Sequence, residues 1–96
     1  MLLEAVVREN REQILRIASE HGVRNVRVFG SVVRGEADQG SDIDFLVDLG
    51  ENLSPWFPVR LIRDLEELLG HRVDIVTEKG LKTRIRSQVL AEARPL

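Results

Sequence analysis

A pair of acids and a glycine–serine turn are the parts of this sequence best suited to chemistry. Asp42 and Asp44 flank one isoleucine, and Gly30-Ser31 lies eleven positions before them. A strand rises about 3.3 Å per residue and alternates its side chains, so both carboxylates would point the same way, roughly 6.6 Å apart. At such a turn the backbone N–H groups and the serine hydroxyl can approach phosphate oxygens closely, because the glycine has no Cβ. Together these features favour a site for a divalent cation and a nucleoside triphosphate.

Asp74 is the candidate third acid, in an otherwise apolar segment thirty positions after Asp44. Facing carboxylates repel each other, and magnesium, which prefers hard oxygen ligands, would offset that repulsion. Two such ions about 3.5–4 Å apart could stabilise both the attacking oxygen and a leaving pyrophosphate. In this interpretation Asp42 and Asp44 bind both ions. Asp74 binds the ion that activates an acceptor hydroxyl, and is the candidate to accept its proton.

Each of these signals is weak when taken alone. A bare Asp-x-Asp is more often the solvent face of an edge strand, a Gly-Ser pair is a common turn, and a lone acid such as Asp74 is more often a solvent contact at a strand edge. Their occurrence together in one short chain favours the chemical interpretation.

Other polar and aromatic residues leave two interpretations open. Arg34 follows the turn by one helical step and could reach phosphate, although a pair with Glu36 or Asp38 accounts for it equally well. The locally basic stretch from Lys79 to Arg86 could contact triphosphate or a partner, although such charges are usually solvated. The aromatic pair at positions 56–57 could stack a base or dock a partner, but packing is its commoner use.

Hydrophobic periodicity predicts the elements that must position these residues. The fold class expected is α/β (α+β), with a small mixed sheet of three to four strands and helices mainly on one face. Gly22, Gly35, Gly70 and Pro95 are the expected terminators. The predicted order is a helix over 3–18, a strand over 24–29, a helical turn over 31–34, a strand over 42–49, a helix starting at Ser54-Pro55, a strand over 72–77 and a last helix from residue 81.

Composition limits the possible classes of protein. The chain has 96 residues, 43% hydrophobic and 31% charged, which is typical of a globular chain and predicts one domain over residues 1–96 without room for a second lobe. A net charge of −2 gives no pull toward nucleic acid or an anionic membrane, so neither is an expected partner. Charge interrupts the N-terminus too early for a signal peptide, and cysteine is absent. We therefore expect a cytoplasmic protein.

Three segments resemble the signature of the minimal nucleotidyltransferase family of the polymerase-beta-like superfamily. They are residues 30–35 (GSVVRG), 41–44 (SDID) and 73–76 (VDIV). The resemblance implies a polymerase-beta-like fold with Asp42, Asp44 and Asp74 as metal ligands. It also implies that the triphosphate contacts Gly30 and Ser31, with Arg34 and Ser41 as further nucleotide-binding residues. The pair Val32-Val33 departs mildly from many relatives, which have an aromatic or small pair there, but no ligand position is lost.

The same resemblance implies a function. Members of this family are commonly antitoxins paired with an all-helical HEPN ribonuclease toxin, and they use ATP and two magnesium ions to transfer AMP onto a tyrosine near the toxin's active site. Two other hypotheses stay open: an antitoxin that neutralises its toxin by stoichiometric docking, and a nucleotidyltransferase for a small molecule or RNA end, which normally has an extra domain. The sequence does not specify the nucleotide, the number transferred, the acceptor residue, the stoichiometry or the strand order.

Overall fold

The computed structural model describes residues 3–38 and 40–96. The helices are α1 (Leu3–Glu9), α2 (Arg11–Glu20), α3 (Ser31–Arg34), α4 (Val59–Leu69) and α5 (Thr83–Glu92), with a 3₁₀ turn at Glu78–Gly80. The strands are β1 (Val23–Phe29), β2 (Ile43–Leu49), β3 (Val73–Val76) and β4 (Arg94–Pro95). Across the described residues, no helix combines the length and apolar character needed to cross a bilayer.

The four strands form one mixed sheet in the order β3-β2-β1-β4. β1 is antiparallel to both β2 and β4, whereas β2 and β3 are parallel. A parallel pair needs a crossover connection, and α4 lies in that connection between β2 and β3. The predicted class, a small mixed sheet with helices, is confirmed.

The main hydrophobic cluster joins residues of α1, α2, α3 and α4 to residues of the three longer strands. Ile43, Phe45 and Val47 provide the face of β2 that belongs to this cluster, and Phe45 is fully buried. Burying a side chain of that size stabilises the fold by about 1.5–3 kcal/mol. The other buried members of the cluster are Leu3, Val7, Ile14, Ala18, Val23, Val26, Val28, Val32, Leu61, Leu65, Leu69 and Val73. The site-bearing strands are therefore held by one core.

Two predicted helix boundaries were wrong. The helix expected over 3–18 is divided at Asn10, whose side-chain amide donates to the Val6 carbonyl at 2.8 Å and so competes with the backbone. The helix expected from Ser54-Pro55 begins at Val59 instead, with Pro58 as its N-cap. The Ser54 hydroxyl lies 2.6 Å from His21 Nδ1 and is therefore used elsewhere.

Alternation along β2 predicts one face that belongs to the core and an opposite, acidic face. The predicted core face is Ile43, Phe45, Val47 and Leu49, and the predicted acidic face is Asp42, Asp44, Leu46 and Asp48. The structure departs from this pattern at two residues. Leu49 was expected in the core but is 45% exposed, because it is the last residue of the strand. Leu46 shares the acidic face by alternation but is fully buried. Leu46 and the buried Val89 of α5 lie outside the main cluster. The sheet is therefore partly covered on its second face as well.

Candidate functional site

Asp44 and Asp74 occupy paired positions on neighbouring parallel strands. The register between β2 and β3 sets Ile43 opposite Val73 and Asp44 opposite Asp74. Paired residues share a face of the sheet, and neighbouring strands lie about 4.8 Å apart. Asp42 lies one residue before β2 begins. The sheet thus brings the three predicted acids to one end of β2, with Asp74 exposed and Asp44 half-buried.

Gly30 is fitted against Asp44 by the antiparallel pairing of β1 with β2. Phe29, the last residue of β1, pairs with Asp44, so Gly30 follows directly beside that carboxylate. The φ of Gly30 is +82°, and a Cβ there would collide with Asp44 Oδ2. A glycine is therefore required by both backbone conformation and space. Its carbonyl accepts from the backbone N–H groups of Val33 and Arg34, which forms the short turn α3.

The electrostatics of Asp44 reflect this crowding. Burial, together with the negative charges of Asp74 and Asp42, raises the pKa of Asp44 from 3.8 to about 6. Arg34 acts in the opposite direction, whereas Glu92 adds another negative charge nearby. Acids that perturb one another in this way, at the surface of a compact fold, are typical of functional sites. The arrangement favours a bound cation.

Asp42 has a competing partner in this conformation. Its Oδ1 pairs with Arg72 Nε at 3.0 Å, and Arg72 also donates to the Gly40 carbonyl at 3.2 Å. Within residues 3–38 and 40–96, no three acidic, histidine or cysteine side chains are close enough to hold a metal ion as they stand. The backbone brings the acids together, but the Asp42 side chain is turned toward Arg72.

The other predicted nucleotide-binding residues lie around the same turn with different partners. Ser31 is half-buried and begins α3. The Ser41 hydroxyl accepts from the Asp38 backbone N–H at 3.0 Å, which orders the loop before Asp42. Arg34 pairs with Glu36 at 3.1 Å, the local contact that the sequence left open, and also with Glu92 at 2.8 Å. These two carboxylates raise the pKa of Arg34, so it carries a positive charge at the edge of the site.

Glu92 is the residue at this site that sequence reasoning missed. Its Oε1 accepts from the Gly30 backbone N–H at 2.6 Å and from Arg34 Nη1 at 2.8 Å. It lies 62 positions from Gly30, so no local pattern could have indicated the contact. The one available signal was an acid in the last turn of a helix, where the helix dipole disfavours negative charge.

The remaining candidates are placed away from the acids. Asp48 pairs with Arg27 at 2.9 Å, and Lys79 lines a surface cleft near the opposite end of β2. Trp56 is 78% exposed, so the packing role favoured for it was wrong, whereas Phe57 is packed against the core. A histidine near a helix end, such as His21, is ordinarily a surface residue, but the His21 side chain is only 12% exposed and lies between Ser54 and Asp64.

Known proteins match this chain over most of its length. Residues 11–96 match the family model described as a nucleotidyltransferase domain. The protein adenylyltransferase MntA of Thermococcus cleftensis is 41% identical over 94% of this chain and 88% of that protein.

Two solved structures resemble the fold closely. A proposed minimal nucleotidyltransferase has a TM-score of 0.83 and 52% identity, over 100% of this chain and 97% of that one. A mutant of the toxin–antitoxin complex MntA–HpeT contains a chain with a TM-score of 0.70 and 26% identity, over 91% of this chain and 71% of that one. The resemblance seen in the sequence, and the fold that it implied, are confirmed.

Proposed function

Because this chain belongs to the minimal nucleotidyltransferase family, we propose that it is a magnesium-dependent protein adenylyltransferase that acts as an antitoxin. The proposed reaction transfers AMP from ATP to a tyrosine of a partner toxin of the HEPN ribonuclease class. A relative that is 41% identical is named a protein adenylyltransferase, and a fold neighbour comes from a toxin–antitoxin complex. Both likenesses support the proposal.

One structural observation carries the proposal more than any other. Asp44 is in register with Asp74 on one side and is in contact range of Gly30 on the other. Nucleotidyl transfer needs acids that hold cations next to groups that hold phosphate, because the protein contributes mainly by positioning the reactants and neutralising their charge. This single carboxylate therefore links the two halves of the proposed site.

The donor set is suited to magnesium. Asp44 and Asp74 offer hard carboxylate oxygens, and the pKa of Asp44 is raised by neighbouring negative charge that a cation would offset. Asp42 would join them once its side chain leaves Arg72. Magnesium, when bound, would neutralise charge that develops on the phosphoryl oxygens.

The proposed steps balance as an in-line displacement. The tyrosine oxygen attacks the α-phosphorus of ATP, the bond from that phosphorus to the oxygen bridging to the β-phosphate breaks, and pyrophosphate leaves. Asp74 accepts the proton of the hydroxyl. Gly30, Ser31 and Arg34 hold the phosphates in place. Asp74 is exposed, so a hydroxyl on another macromolecule can reach it.

A direct test uses a cognate toxin of the HEPN class, which is first sought among the products of the adjacent genes. The purified pair is incubated with ATP and magnesium, and the intact mass of the partner is measured. The wild type should add one or more AMP units, and Asp44→Asn should abolish the addition. Asp48→Asn is the matched control, since Asp48 lies on the same strand but pairs with Arg27, and it should remain active. An unchanged partner mass with the folded wild type would exclude the proposed transfer.

A second candidate function is neutralisation by stoichiometric binding alone. It is favoured by the pairing of Asp42 with Arg72, which leaves no ready three-ligand metal group among the described residues. Co-expression separates the two functions. If Asp44→Asn still protects cells from the toxin as well as the wild type does, binding rather than transfer neutralises it.

A further inference from the structure

Glu92 holds the groups that the proposed function assigns to the nucleotide's phosphates. Its carboxylate accepts from the Gly30 backbone N–H at 2.6 Å and from the Arg34 guanidinium at 2.8 Å. Carboxylate and phosphate oxygens bind the same donors, and such charge-assisted hydrogen bonds are short and strong. One carboxylate oxygen of this chain therefore takes both donors at once.

The contacts of Glu92 with Gly30 and Arg34 are partly shielded from solvent. The Glu92 side chain is only 16% exposed, whereas Glu36, the other acid on Arg34, is 63% exposed. A partly buried negative charge in the last turn of a helix is unfavourable with respect to the helix dipole. The bonds to Gly30 and Arg34 offset that cost, so Glu92 depends on them.

The helix that carries Glu92 has one buried side chain and is followed directly by β4. Val89 is buried in α5, while the residues from Thr83 to Gln88 are all exposed. The end of this helix is anchored by Val89 and by the pairing of β4 with β1, but turning only the Glu92 side chain would leave those contacts in place. The contact can open at low cost in buried surface.

We propose that Glu92 is an internal competitor for the nucleotide and sets its affinity. This inference rests on the proposed function, because it concerns the same phosphate site. In the free protein the Glu92 carboxylate satisfies Gly30 and Arg34. The triphosphate of ATP must displace it, and the displaced carboxylate moves away from a site that is already rich in acids. The apparent dissociation constant for ATP is the intrinsic constant divided by the fraction of molecules in which Glu92 has left Gly30 and Arg34.

The test compares the affinity of variants for MgATP and for sodium tripolyphosphate by isothermal titration calorimetry. Glu92→Gln keeps the shape but removes the charge, and it should lower the dissociation constant for both ligands by roughly tenfold. Glu36→Gln is the matched control, since it removes a carboxylate that binds Arg34 without reaching Gly30. It should change the affinity less than twofold.

A second measurement does not depend on ligand affinity. Hydrogen exchange of the Gly30 amide should be slow in the free wild type and faster in free Glu92→Ala. With saturating MgATP the two proteins should exchange this amide at the same rate, because phosphate has replaced the carboxylate. Equal exchange in the free proteins would overturn the inference.

The outcomes separate this inference from the proposed function. If the wild type binds MgATP and Glu92→Gln binds it equally or more weakly, the competition is disproved while the nucleotide site stands. If Glu36→Gln tightens binding as much as Glu92→Gln, the effect is one of general charge and the inference also fails. If no variant binds MgATP or tripolyphosphate, both the inference and the proposed function fail.

Discussion

Asp44 and Asp74 are register partners on the two parallel strands at one side of the sheet. Their positions thirty residues apart become adjacent because α4 carries the chain back between β2 and β3. The backbone register therefore fixes the relative positions of Asp44 and Asp74, whereas the Asp42 side chain is paired with Arg72. Stability, pH dependence and ligand binding should all reflect this arrangement.

Asp44→Asn should stabilise the free protein at neutral pH. The folded-state pKa of Asp44 is about 6, above its ordinary 3.8, so the folded protein binds a proton more tightly than the unfolded chain does. The stability contributed by the neutral carboxyl is complete below about pH 4 and is lost as the pH rises through about 6. After a discount for solvent screening, the variant should gain on the order of 1 kcal/mol at pH 7.5.

Urea unfolding at pH 4, 5, 6 and 7.5 measures this effect. The wild type should lose stability relative to Asp44→Asn across the interval from about pH 4 to 6. Parallel curves over the whole range would mean that Asp44 titrates normally.

Magnesium should stabilise the wild type in thermal melts. Ligands that bind only the folded state raise stability by about 2.7 kcal/mol at a hundredfold excess over the dissociation constant. The shift should be lost in Asp44→Asn and Asp74→Asn and kept in Asp48→Asn, which lies outside the site. Equal increases in melting temperature on adding magnesium to all four proteins would mean that the metal binds elsewhere.

Gly30→Ala should destabilise the protein more than Gly35→Ala does. Both glycines have positive φ values, +82° and +73°, so each substitution costs backbone energy. A Cβ at Gly35 meets nothing within 4 Å, whereas one at Gly30 collides with Asp44 Oδ2. We expect about 1 kcal/mol for Gly35→Ala and about 3 kcal/mol for Gly30→Ala, measured by chemical denaturation. Equal losses would mean that Asp44 moves aside freely.

His21→Ala should destabilise the fold without affecting the site. His21 caps the C-terminal end of α2 and links the Ser54 hydroxyl at 2.6 Å to Asp64 at 2.8 Å. Loss of two partly buried hydrogen bonds should cost about 1–3 kcal/mol. Affinity for MgATP should be unchanged at a temperature where the variant is folded, with His71→Ala as the control for both measurements.

The sequence predicted the helices and strands whose apolar residues recur with a regular period. Alternation identified the strands that carry Asp44 and Asp74, and glycines marked the end of α4 and the turn at Gly30. These features were predictable because side-chain direction and backbone freedom are local properties. The roles of the three acids stay predictions, as do those of Ser31 and Ser41.

Features set by distant or weak contacts were not predictable. Glu92 reaches Gly30 from 62 positions away. β4 is only two residues long, and its proline, Pro95, was already explained as the residue that ends the last helix. The burial of Leu46 on the acidic face requires that this face be covered, which alternation along β2 does not reveal. The break at Asn10 arises from one side-chain hydrogen bond within an otherwise continuous helical pattern.

The most direct test of the central claim follows the phosphate that is transferred. The chain and the proposed HEPN-type partner are incubated with magnesium and ATP labelled either at the α- or at the γ-phosphate. Nucleotidyl transfer predicts that the α label stays on the partner protein and that the γ label leaves with pyrophosphate. With Asp74→Asn the partner should retain neither label. Label on the partner from the γ-phosphate, or from neither position with the folded wild type, would contradict nucleotidyl transfer.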